Sequence, residues 1–144
     1  MSAHTLDRMV ANVEHGRFER SLSGLTAAGA LITGAEIWLE HDRASFANRM
    51  MWLPVMVTPF VAAAGVGGVF SQRLAKTALP AVSAVLVLNG LQGTYLHLRG
   101  IAQRPGGWRF ARFNAEMGPP LFAPLLATMV GGMGLLAAIL RRES

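Results

Sequence analysis

No cysteine occurs among the 144 residues. The sequence therefore carries no disulfide, no Cys-ligated iron–sulfur cluster, no c-type haem attachment and no catalytic thiol. Charge is also scarce. Asp, Glu, Lys and Arg make up 15% of the residues, against about 25% in an ordinary soluble domain. HExxH, GxSxG and P-loop signatures are absent, which removes the common motif-borne hydrolase and nucleotide-binding chemistries. There is no repeat at a solenoid period and no low-complexity run.

What is present is apolar: 52% hydrophobic residues and a mean hydropathy of +0.39. Met51–Phe70, Thr77–Leu98 and Met117–Leu140 contain no charged residue. At about 1.5 Å per helical residue, each reaches across a hydrocarbon core of roughly 30 Å. The expected fold is an all-α integral membrane bundle of four antiparallel helices, with spans at about 21–41, 51–71, 75–98 and 119–140. The whole chain, 1–144, reads as one transmembrane domain.

Span one is the weakest, because Glu36 interrupts its apolar run. A mid-helix acid costs about 2.5–3.5 kcal/mol on the insertion scale, nearly what the Leu and Ile residues of the span return. Span two carries Pro54 and Pro59, so a neighbour must satisfy the freed carbonyls. Ser71–Lys76 leaves room only for a tight turn, making spans two and three a hairpin. Gly24, Gly29, Gly34, Gly65, Gly68, Gly131 and Gly134 permit close helix–helix approach.

Two segments flank the spans. Residues 1–20 form an amphipathic stretch, with Leu6, Met9, Val10 and Val13 on one face, suited to a short interfacial helix. Residues 99–118 interleave Trp108, Phe110 and Phe113 with Arg104, Arg109 and Arg112, the composition of a loop lying on headgroups. The excess of Lys and Arg sits in tails and loops and forms no basic motif, so the expected partners are the lipid bilayer and other membrane subunits or a second copy, with no nucleic acid. Lys and Arg divide seven against six between the two sides, hardly a bias. The expected placement is a bacterial inner membrane with both termini cytoplasmic.

The antiparallel order gathers the polar residues at one end. Glu36, Glu40, His41, Arg43, Tyr95, His97, Arg99 and Trp108 all fall there. On span one, Thr26, Gly29, Thr33, Glu36, Glu40 and Arg43 share a helical stripe; on span three, Asn89, Gln92, Gly93, His97 and Gly100 do so. Lipid cannot satisfy such groups, so the two stripes are expected to face each other, bringing Glu36 near His97.

The candidate cofactor-binding set is Glu36, His41, Tyr95, His97, Arg99 and Trp108. His41 and His97 offer two axial ligands for a b-type haem. A quinone would use Glu36 or His97 as proton partner, with Tyr95 and Trp108 as walls. Glu36, Glu40, His41 and His97 have metal-ligand chemistry but no metal-site spacing. Each residue also has a plain structural reading, as an interhelical hydrogen-bond partner, packing glue or headgroup contact. Two further segments, 95–101 and 117–124, are distinctive in composition, the second through Pro119, Pro120 and Pro124. The leading expectation is a non-catalytic accessory subunit of a membrane complex. A redox subunit binding haem or quinone near Glu36 and His97, and a small oligomeric carrier, are the alternatives. No catalytic residue is assigned.

Overall fold

The computed structural model describes residues 3–14 and 17–140. The expected place of the Val13 side chain on the apolar face of residues 1–20 lies outside this description. The regular elements of the described chain are all helices: α1 (Ala3–Glu14), α2 (Arg17–Arg43), α3 (Trp52–Phe70), α4 (Gln72–Lys76), α5 (Ala78–Ala102), α6 (Ala111–Glu116) and α7 (Phe122–Ile139). Four segments, Arg17–Arg43, Arg49–Phe70, Gln72–Ala102 and Phe122–Ile139, are long and apolar enough to cross a bilayer. Together they indicate a multi-pass membrane protein.

Each departure from the sequence reading has a local cause. The turn after α3 is itself helical, because the Ser71 hydroxyl accepts from the Leu74 N–H and caps α4. The amphipathic segment ends as a helix at Glu14, and Arg17–Arg20 already belong to α2. Glu19 is consequently no tail residue. It is fully buried in the first turn of α2, at the positive end of the helix dipole. The 99–118 loop is mostly helical as well: α5 runs on to Ala102, a 3-10 turn covers Gly107–Phe110, and α6 follows.

The bundle closes as a ring in the order α2–α3–α5–α7, with the closest packing in the pairs α2–α3 and α5–α7. Spans one and three, α2 and α5, therefore stand on the diagonal and scarcely touch. This corrects the expectation that spans one and three pack directly against each other. Short connections make consecutive antiparallel helices neighbours, which leaves alternate helices across the bundle.

Packing is that of a membrane bundle. Many large apolar side chains point outward, as at Ile32, Phe60, Leu88, Met129 and Ile139, while small and hydroxyl residues share the interior with Leu79, Leu86 and Ile101. A Cβ on Gly65 of α3 would stand 2.8 Å from the Ser23 carbonyl of α2. One on Gly131 of α7 would stand 2.8 Å from the Ser83 carbonyl of α5. Pro59 leaves the Val55 carbonyl without its helical donor, and the Thr58 hydroxyl turns back toward it at 3.5 Å. Gly34 of α2 supplies the space Thr58 occupies.

The end of the bundle at the α3–α5 turn is clasped. The Lys76 ammonium donates to the Ala138 carbonyl at 2.7 Å and also to the Leu140 carbonyl. A cation thus satisfies the otherwise orphaned C-terminal carbonyls of α7.

Gly65→Leu should therefore lower stability by about 1–3 kcal/mol. Gly132→Ala, whose added carbon meets nothing within 4 Å, should raise stability by up to about 1 kcal/mol. Thermal unfolding in detergent compares the two. The topology has its own check in single cysteines at exposed Ala44, Gln72 and Gln103. A membrane-impermeant maleimide should label Ala44→Cys and Gln103→Cys from one side and Gln72→Cys from the other. Labelling of all three from the same side would contradict the fold.

Candidate functional site

The end opposite the Lys76 clasp is open. A partly open cavity of about 890 Å³ lies there among α2, α3, α5 and α7. Its apolar surface comes from residues such as Ile37, Met51, Pro54, Leu96, Pro124 and Ala127. Beneath it Ala30, Val61, Leu86 and Val130 pack into the core. The polar lining includes Asn89 and Gln92 from α5, with Glu40, Arg43 and Arg99 from the helix ends.

His41 and His97 both line this cavity and are both partly buried. His41 lies on the inward stripe of α2, a turn beyond Ile37. Its Nδ1 is 2.8 Å from the Met51 carbonyl. His97 reaches from α5 to the start of span four, with Nδ1 2.7 Å from the Pro120 carbonyl. A carbonyl can only accept, so in both rings Nδ1 carries the hydrogen and the neutral imidazole keeps its lone pair on Nε2. The two rings come from diagonal helices and line the same cavity.

The loop after α2 holds His41 in place. Ser45 and Phe46 adopt left-handed backbone, with φ of 53° and 45°. This conformation lets the Ser45 N–H reach the Asp42 carbonyl at 2.7 Å and the Phe46 N–H reach the His41 carbonyl at 2.9 Å. It also folds the Phe46 ring back between its neighbours, edge-on to His41 at 6.1 Å and stacked on Trp52 at 4.0 Å. Asn48 then caps the 3-10 turn Arg49–Met51 by accepting from the Met50 N–H, which positions the Met51 carbonyl. On the other loop, buried Asn114 donates to the Pro105 and Gly107 carbonyls and ties down the turn beside α5.

Of the six sequence candidates, His41, His97 and Arg99 line the cavity. Glu36, Tyr95 and Trp108 are exposed and outside its lining. Glu36 is one residue, about 100° of helical turn, away from the buried Ile37. Glu40 takes the inward place instead and pairs with Arg43. The close approach of Glu36 and His97 across a contact of spans one and three is thus corrected, since those helices are diagonal. Asn89, Gln92, Gly93, His97 and Gly100 do form one wall. Both distinctive segments, 95–101 and 117–124, contribute to it, joined by the His97–Pro120 bond. Sequence reasoning missed Phe46, Asn48 and Trp52. Of these, only Asn48 gave a local signal, as an Asx cap ahead of a helix start.

Among the described residues no group of three or more His, Asp or Glu is placed to hold a metal ion. No protein-family model, curated protein or solved structure matches the chain.

A left-handed residue other than glycine costs roughly 1–2 kcal/mol. Ser45→Gly should therefore raise stability by up to about 1 kcal/mol, part of the relief being offset by unfolded-chain entropy. Ser45→Val should lower it by at least as much, because a β-branched side chain tolerates positive φ poorly. Denaturant unfolding in mixed micelles measures both.

Proposed function

We propose that the chain is a non-catalytic, ligand-binding accessory subunit of a bacterial inner membrane, with both termini cytoplasmic, whose cavity takes a flat amphipathic ring molecule. The observation that carries this reading is the cavity itself. Its volume lies within the range of about 300–1,000 Å³ common to small-molecule and cofactor sites. Its apolar walls give way to fixed polar groups near one membrane face, as an amphipathic ligand requires. The buried core beneath it and the Lys76 clasp at the far end favour a binder over a carrier, which must open to both sides.

The flanking segments fit the same setting. Leu6, Met9 and Val10 of α1 are exposed, and an apolar helix face of this kind suits the lipid surface. Trp108, Phe110 and Phe113 are likewise exposed beside Arg109 and Arg112, suited to the interface at the cavity end.

Purified chain in detergent tests the proposal with a short-chain ubiquinone, menadione and haemin as probes. At a hundred times its dissociation constant, a bound probe should stabilise the fold by about 2.7 kcal/mol, read as a raised melting temperature. Ala123→Phe, which adds a ring at the cavity wall, should remove the shift while leaving helical circular dichroism unchanged. No stabilisation by any of the probes would end the reading.

A further inference from the structure

The polar groups of the cavity also discriminate between ligand classes, given that the cavity binds a ligand at all. From their geometry we infer that the occupant is a b-type haem, with His41 and His97 as its two axial ligands.

The tautomers point to a Lewis acid. Each ring holds its Nδ1 hydrogen on a backbone carbonyl, at 2.8 Å for His41 and 2.7 Å for His97. Metal-ligating histidines use this same outer-shell bond to fix ring orientation and to raise the basicity of the other nitrogen. Two Nε2 lone pairs on one cavity are acceptors, so they do not donate to the carbonyl oxygens of an oxidised quinone.

The number of ligands then selects the metal species. A structural zinc site needs four protein ligands and a catalytic one needs three. Among the described residues no cluster of three is placed for a metal. Haem iron brings four porphyrin nitrogens of its own and asks the protein only for the axial positions, a demand that two histidines meet. Their origin on diagonal helices suits ligation from two sides, because a porphyrin must pass between its axial ligands.

The remaining lining matches the remaining parts of the molecule. Ala123 is small at the cavity wall and leaves room for a flat ring, and Ile37 and Leu96 present apolar surface to it. Arg43 and Arg99 stand at the helix ends, where carboxylate side chains of a haem would meet them. Arg43 already pairs with Glu40, whereas Arg99 has no carboxylate partner among the described residues.

The full-length chain, expressed with haem supplied and purified in detergent, tests this directly. The expected result is one haem per chain with a six-coordinate low-spin visible spectrum in both oxidation states. His41→Ala and His97→Ala should each abolish the low-spin spectrum. Arg99→Gln should keep it and weaken haem retention roughly tenfold, as the loss of a charge-assisted hydrogen bond to a carboxylate does. His4→Ala serves as control, and helical circular dichroism with gel filtration confirms that each variant is folded. A folded chain that takes up no haem overturns the inference, as does a low-spin spectrum that survives both histidine substitutions. If the quinone probes stabilise the chain but haemin does not, the haem assignment falls while the ligand-binding reading stands. If none of the probes binds, both fall.

Discussion

Everything in this bundle depends on how closely the helix backbones approach. In a bilayer, apolar side chains gain nothing by leaving lipid for one another, so helices associate through packing and interhelical polar contacts. Here the approach is set by glycine. Gly65 lies against the Ser23 carbonyl, and Gly131 against the Ser83 carbonyl. At either place a single added carbon would come within 2.8 Å of a carbonyl oxygen on the neighbouring helix. The α2–α3 and α5–α7 pairs are built on those contacts, and the ring of four follows from joining the pairs.

The two ends of the ring are finished differently. At one, α4 leads straight into α5, and Lys76 draws the start of span three onto the carbonyls at the end of α7. At the other, the connections are longer and contain Pro119 and Pro120, with Pro54 and Pro124 on the adjoining helices. Prolines donate no backbone hydrogen, and Pro124 and Pro119 pack against Gly93 and Gly100 of α5. Histidine side chains answer carbonyls of the connecting segments there. His41 holds Met51, and His97 holds Pro120. One set of bonds thus closes the loops and sets the tautomers that define the chemistry of the cavity. The left-handed Ser45 and Phe46 belong to the same device, since strained backbone persists only where its surroundings hold it.

Glu36 and His41 show how far periodicity reaches. Both are polar residues near the end of one span, and the stripe drawn through Thr26, Thr33 and Glu40 included Glu36 but not His41. The face that α2 buries runs through Thr26, Ala30 and Ile37 and continues to His41, leaving Glu36 to one side. A helix in lipid has no polar face to contrast with its apolar one, so the buried stripe is marked by small residues more than by polar ones. On α5 the glycines and polar residues share one face, and the wall from Asn89 to Gly100 was legible beforehand.

The spans, their antiparallel order and the end at which polar groups collect were decided by the sequence alone. Uncharged runs of sufficient length and short connections leave a bilayer chain few other arrangements. Tertiary structure decided the rest. Which helices lie on the diagonal, which acid faces inward, and which ring nitrogen is free all depend on contacts between residues far apart in the chain. His97 and Pro120 illustrate the reason. Neither residue carries a local sign of the other, and only the packing of α5 against the start of span four brings imidazole and carbonyl together.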